Sequence, residues 1–211
     1  MIEVRCCTFA YASSPSVFED LDFTAPAGAI TAVTGPSGRG KSTLLYVIGL
    51  MLRPQRGQIL LGGRRIDELS DTARSRLRGR KFGFVFQDAA LDSTRSVQDN
   101  VVESTVYNGL SRKPSLVRAR QMLIDLGVDV DPSRRPGQLS GGQAQRVALC
   151  RALIHEPRVV LADEPTGNLD ETSSNAVLGS LRHAADRGAA VVIATHDPRV
   201  LDRSDGRLHL G

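Results

Sequence analysis

Gly35-Pro36-Ser37-Gly38-Arg39-Gly40-Lys41-Ser42 places glycines, a lysine and a hydroxyl at the spacing G-x-x-x-x-G-K-[ST]. Those residue types suit one task, the cradling of a polyphosphate. Glycine at Gly35, Gly38 and Gly40 lets successive backbone N–H groups turn toward an anion without Cβ interference. The helical stretch that follows adds its positive end to the same anion. Lys41 reaches β- and γ-phosphates, Ser42 offers a hydroxyl to Mg²⁺, and Thr43 adds a phosphate contact. Arg39 is bulkier than the small side chain expected between two loop glycines. A glycine-rich turn before an ordinary helix is the plain alternative. The position of the string, after a β-prone run and before a helical one, argues against it.

Val159-Val160-Leu161-Ala162-Asp163-Glu164 is a second candidate, an apolar strand ending in two acids. Asp163 at a strand end can hold Mg²⁺, and Glu164, one residue on, can polarise an attacking water. Adjacent acids alone are usually solvated surface. After a buried strand in a chain with a phosphate loop, they read as metal ligand and base. Leu139-Ser140-Gly141-Gly142-Gln143 precedes a helix expected to run to about Ile154. It is either a second anion seat at a helix N-terminus or simply a serine N-cap with a glycine loop.

These strings need elements to hold them. Ile2–Phe9 alternates as a strand, with Leu21–Thr24 a possible partner, and Pro26-Ala27-Gly28 is a turn. A short strand over 29–34 leads into the phosphate loop. Its helix is expected to persist to about Leu52, where Arg53-Pro54-Gln55-Arg56-Gly57 stops it. Further strands are expected at 58–61, 82–86, 158–162 and 189–195, with a helix over 172–187. Between Asp88 and Glu156 helical spacing replaces strand-like runs, as in Leu116, Ala119, Leu123 and Leu126. The pattern is that of an α/β chain with a helical insertion.

At 211 residues, 41% hydrophobic and 24% charged, the chain fits one globular domain and not wholesale disorder. No apolar run approaches the roughly 18–20 residues that span a bilayer. Met1–Arg5 has no signal-like character, so a cytoplasmic chain is expected. The net charge of +4 permits phosphate or nucleic-acid contact without requiring it. The arginine cluster Arg64, Arg65, Arg74, Arg76, Arg78 and Arg80, with Lys81, is diluted by Asp67, Glu68 and Asp71. With no aromatic residues interleaved for base stacking, it reads as a solvated helix face, and no nucleic-acid partner is expected. Cys6, Cys7 and Cys150 make an odd set, adjacent cysteines rarely bridge and nothing is spaced like a zinc site, so they read as buried reduced thiols.

Together these residues resemble the nucleotide-binding domain of ATP-binding cassette (ABC) proteins over essentially the whole chain. Gly35–Thr43 and Val159–Glu164 are similar to the family's Walker A and Walker B segments, and Leu139–Gln143 to its signature. Tyr11 resembles the aromatic that stacks on adenine, Gln87 the Q-loop glutamine, Asn168-Leu169-Asp170 the D-loop, and His196 the switch histidine. The resemblance implies a P-loop NTPase (RecA-like) core with an N-terminal antiparallel β subdomain, over 1–87 and 157–211. An α-helical signature subdomain is inserted at 88–156. The cofactors implied are ATP and Mg²⁺. Glu164, His196, Gln87 and Lys41 are the implied catalytic residues, and Ser42, Gln87 and Asp163 the metal site. Tyr11, Gly35, Ser37, Gly38, Gly40, Lys41, Ser42 and Thr43 would hold nucleotide. Ser140, Gly141, Gly142, Gln143 and Asp170 would do so across a head-to-tail dimer of two copies.

Asp163-Glu164-Pro165-Thr166-Gly167-Asn168-Leu169-Asp170 resembles the group serving lipoprotein release, macrolide export, haem efflux and bacitracin-type resistance. Leu91–Val101 keeps that group's Val-x-x-Asn-Val ending but departs from its usual Leu-Leu-Pro. The resemblance implies an ATPase on the cytoplasmic face of the membrane. There it would drive export of an antibiotic, haem, peptide or lipoprotein through separate transmembrane permease subunits, and exporters with fused spans are set aside. The alternative is a cell-division type ATPase that signals to cell-wall hydrolases without moving cargo.

Overall fold

The computed structural model describes residues 1–12, 14–167 and 169–211. Strands β1 (Ile2–Ala10), β2 (Ser16–Ala25), β4 (Arg56–Leu61) and β5 (Arg64–Arg65) form an antiparallel sheet in the order β2-β1-β4-β5. Strands β3 (Ile30–Thr34), β6 (Phe82–Val85), β7 (Val159–Asp163), β8 (Ala190–Ala194) and β9 (Gly206–His209) form a parallel sheet, ordered β6-β7-β8-β3-β9. The helices are α1 (Lys41–Ile48), α2 (Asp71–Lys81), α3 (Val97–Val106), α4 (Arg112–Asp125), α5 (Gly141–Leu153), α6 (Glu171–Asp186) and α7 (Pro198–Leu201).

The parallel sheet is buried on both faces, so β8, and β7 as far as Ala162, are apolar without alternation. Val160, Ala162, Val191 and Ile193 point into a core shared with α3, α4, α5 and α6. Val159, Leu161, Ala190, Val192 and Ala194 point into a second core with α1 and the antiparallel sheet. α3, α4 and α5 pack on one another, and α5 lies on β6, which is the helical segment expected from the spacing. Among the described residues, no helix is long and apolar enough to cross a membrane.

Four features differ from expectation. α1 ends at Ile48 and not near Leu52, because Gly49 caps it and Leu50 takes a left-handed φ of 61°. The peptide groups exposed by that early stop are held by Arg74, whose Nη2 donates to the carbonyls of Leu50 (3.0 Å) and Leu52 (2.9 Å). Arg78 donates to Leu50 as well, at 3.0 Å. The arginine cluster is therefore not wholly a solvated face: Arg74 is 5% exposed. Cys6 is exposed, since a register shift in β1 between Val4 and Cys7 turns it outward. Cys7 and Cys150 are buried thiols that burial pushes up to about 11 and about 12, and all three cysteines are free. β9 is an addition, an edge strand with every second residue exposed.

Replacing Arg74 by leucine leaves the Leu52 carbonyl without its charged donor and the Leu50 carbonyl with Arg78 alone. The expected loss is about 2–4 kcal/mol, read as a lower urea midpoint with an unchanged slope.

Candidate active site

In parallel strands the following residues all leave at the same edge of the sheet, where ligands of open α/β sheets bind. Here β3 runs into the phosphate loop, β7 ends at Asp163, β8 is followed by Thr195 and His196, and β6 is followed by Gln87. The loop, Gln87, Asp163, Glu164 and His196 enclose one cleft of about 520 Å³. A larger groove of about 650 Å³ lies between α4, α5 and α6. Its central Glu156 is already paired with Arg118 (2.6 Å) and Arg187. The phosphate loop and both candidate acids line the smaller cleft.

The loop needs its glycines. Gly35 has φ 142° and a Cβ there would strike the Leu210 carbonyl; Gly40 has φ 86° and a Cβ there would strike Val17. Lys41 folds back over the loop, its Nζ donating to the carbonyls of Gly35 (2.9 Å) and Pro36 (3.0 Å). Thr43 is buried and its hydroxyl lies 3.0 Å from that of Tyr11, whose ring stands edge-on to Phe9 and is half exposed. Tyr11 thus sits beside the loop with a ring free to stack. Arg39 is exposed and does not line the cleft.

The two acids are adjacent in sequence but differ in backbone: Asp163 ends β7 and Glu164 is left-handed. Asp163 is 6% exposed and hydrogen-bonds Ser42; burial raises its carboxyl above the usual range, Ser42 opposes this, and Glu164 adds to it. Glu164 adopts φ 44° and anchors its N–H on the Ala194 carbonyl at 2.9 Å, which swings its side chain into the cleft. Its Oε2 accepts from the Thr195 hydroxyl (3.0 Å) and its Oε1 lies 2.7 Å from His196 Nδ1. The His196 ring is 81% exposed and faces outward from this pair. The Asp163 carboxylate, the Ser42 hydroxyl and the Gln87 amide are hard oxygen donors at the loop mouth. They fit Mg²⁺, which takes few protein ligands and leaves the remaining positions to phosphate and water.

A supporting network was not legible from the motifs. Thr195 is fully buried and also accepts from the Asp197 N–H at 3.0 Å. Asp197 accepts from the Thr166 hydroxyl (2.7 Å) and from Arg199, which holds its carboxyl down at about 2 against the opposing effect of burial. The Thr195-His196-Asp197 string at a strand end is the only local signal for it.

Ser140, Gly141, Gly142, Gln143 and Asp170 do not line the cleft. Ser140 caps α5, accepting from the Gln143 N–H at 3.2 Å, while Gln143 Oε1 accepts from the Ser140 N–H at 2.9 Å. Gly142 lies against Leu169, and Arg146 donates to Ser173, whose N–H and hydroxyl Asp170 accepts at the start of α6. Asn168 lies outside the described residues.

A strand–loop–helix phosphate cradle with acids at the ends of neighbouring parallel strands defines a P-loop nucleotide-binding protein. The family profile described as ABC transporter matches residues 18–167. The chain belongs to the ABC transporter family and is its ATP-binding domain, an ABC-type ATPase. It is 42% identical over 191 residues to the lipoprotein-releasing system ATP-binding protein LolD 1 of Rhodospirillum rubrum, covering 90% of this chain and 84% of that protein. It is 43% identical over 199 residues to the macrolide export ATP-binding/permease protein MacB 1/2 of Paracoccus denitrificans, covering 91% of this chain but only 30% of that one. That relative is described as an ATP-binding/permease protein, and the chain spans about a third of its length. A solved structure described as a dimeric bacterial ABC transporter cassette, MJ0796, superposes with a TM-score of 0.91 at 29% identity, covering 100% of this chain and 94% of that one. A second structure of that cassette is described as a dimeric post-hydrolysis state bound to ADP and Pi, with a TM-score of 0.91 at 28% identity over the same shares of the two chains.

Two outcomes are expected at this site. Gly40→Ala weakens nucleotide binding by roughly tenfold or more, as strain and a clash close the cradle; titration with a fluorescent ATP analogue reads it. For Asp197 the folded carboxyl titrates near 2, below the ordinary value of about 3.9. Its stabilisation is therefore complete above about pH 5 and lost as pH falls toward 2. Urea melts of wild type and Asp197→Asn should differ at pH 7 and converge across that acid window.

Proposed function

We propose that two copies of this chain close head to tail around ATP, hydrolyse it at shared sites, and so drive a transmembrane permease that exports an amphipathic substrate. The observation that carries the proposal is the separation of two anion seats. Ser140 and Gly142 sit outside the cleft that holds Lys41, Asp163 and Glu164, so each seat is left facing a different copy. ATP gripped by one copy's loop and capped by the other's signature would glue the pair, and loss of the γ-phosphate would release it.

In this reading Lys41 and the loop N–H groups hold the β- and γ-phosphates in line, and Tyr11 supports the base. Glu164 orients a water and takes its proton as the water oxygen bonds to the γ-phosphorus and the bond to the β-phosphate oxygen breaks. Thr195 and His196 keep that carboxylate aimed, and His196, at the cleft rim, steadies the γ-phosphate. Asp163, Ser42 and Gln87 would hold Mg²⁺, which would supply positive charge against the phosphates. Core and β subdomain over 1–87 and 157–211, with the helical subdomain over 88–156, would make one nucleotide-binding domain.

Export is supported by the names of the relatives, lipoprotein-releasing and macrolide export. The permease would meet the segment after Gln87, which is kept rigid by buried Asn100. Its amide donates to the carbonyls of Asp92 and Ser96 (both 3.0 Å) and its oxygen accepts from the Asp92 N–H at 2.8 Å. Exposed Val106, Tyr107 and Leu110 at the end of α3 extend that surface. The chain would then work at the cytoplasmic face of the membrane, through its permease.

Glu164→Gln is expected to lower turnover by about 10²–10⁴-fold and to leave an ATP-bound dimer in light scattering. Ser140→Arg should stop hydrolysis while the isolated copy still binds ATP; unchanged turnover would overturn the shared site.

A further inference from the structure

The loop carrying Gln87 is clamped on both sides of that residue by a single helix. Before it, Gln145 Nε2 donates to the Phe86 carbonyl at 3.1 Å, and Gln145 is buried. After it, the Arg151 guanidinium forks onto two successive carbonyls, Nη2 to Ala89 at 2.8 Å and Nη1 to Ala90 at 2.6 Å. Ala89 and Ala90 both have left-handed backbones, φ 60° and 46°. Alanine resists that conformation, so the turn persists only where its surroundings over-determine it. The fork does this, because a planar guanidinium presents two N–H groups at a fixed separation, one to each carbonyl. Among the described residues this guanidinium donates to those carbonyls and to no carboxylate; Asp88 and Glu103 act on it only through space.

The same helix, α5, begins at the Ser140 cap. Gln145 and Arg151 therefore share one rigid rod with the signature. α5 is also pinned along its far end to α3, where the Ser104 hydroxyl donates to the Arg151 carbonyl at 3.0 Å. A displacement of Ser140 that turned or shifted α5 would carry the carbonyls of Phe86, Ala89 and Ala90 with it, and so move Gln87 in the cleft.

We propose that Arg151, assisted by Gln145, is a positioning residue that links the signature to Gln87, so that occupancy of one nucleotide site sets the geometry of the other. This rests on the shared-site reading above, in which a copy's signature and its Gln87 serve different ATP molecules. The linkage is reciprocal, as any coupling between binding sites must be.

The test uses the full chain with ATP and Mg²⁺ in Arg151→Met and Arg151→Lys. Arg151→Met should lower kcat by roughly 10–100-fold, the scale of a small misplacement of a reacting group. The Hill coefficient for ATP should fall toward 1, while affinity of the isolated copy for a fluorescent ADP analogue stays within about twofold. Arg151→Lys, keeping charge but not the fork, should fall between. A structural role alone would instead lower the melting temperature and ADP affinity without changing the Hill coefficient. Wild-type kcat and Hill coefficient in Arg151→Met would overturn the proposal; if that variant does not fold, Arg151→Lys and Gln145→Leu carry the same comparison. ATP-dependent dimerisation of Glu164→Gln, measured alongside, separates the two readings. Its absence defeats the shared site, whereas its presence with unaltered Arg151 variants defeats only the linkage.

Discussion

Backbone pairing in the parallel sheet holds the site together. Val85 pairs with Ala162, Ala162 with Ile193, and Val33 with Ala194. Because these strands run the same way, the chain leaves each of them at one edge, within reach of the same phosphate. The sheet can be so arranged only because both faces are covered, one by the helical layer and one by α1 and the antiparallel sheet. Every group that faces the cleft inherits its position from that edge.

Within the cleft, burial divides the labour between two adjacent carboxylates. Asp163 stays at the strand end, buried and raised, beside the Ser42 hydroxyl. Glu164 steps out through a left-handed backbone and is caught by Thr195 and His196. The strain at Glu164 is sustained by its N–H on Ala194 and by the network behind Thr195, which runs through Asp197 to Thr166 and Arg199. In the proposed mechanism, a carboxylate held by two side chains just beyond the neighbouring strand would be pre-organised for a water, with little reorganisation left for the reaction.

The helical layer turns this local site into part of a larger device. Ser140 at the start of α5 does not line the cleft, yet the flank of the same helix grips the loop of Gln87. Gly142 and Arg146 tie it to the segment leading into α6. A helix is stiff along its axis, so groups attached to one move together. The proposed exchange between nucleotide sites uses no more than that stiffness and a few charge-assisted hydrogen bonds.

The phosphate loop, the acid pair after an apolar run and the capping serine before α5 were legible in the sequence because each is a local statement. Glycine at Gly35 and Gly40 reflects backbone conformations and close approaches that other residues cannot adopt, and unbroken apolar runs at β7 and β8 announce strands buried on both faces. The premature end of α1 was not legible, since Arg74 supplies the buried partner from 24 positions away. Nor was the outward turn of Cys6, which depends on register against β2. The meeting of Glu164 with His196 spans 32 positions and that of Arg151 with Ala89 spans 62. Sequence by itself determined which chemistry the chain carries, because residue type and local spacing set backbone geometry and charge. Only the tertiary structure decided which of those groups share a cleft, because the order of strands in the sheet is settled by packing between distant segments.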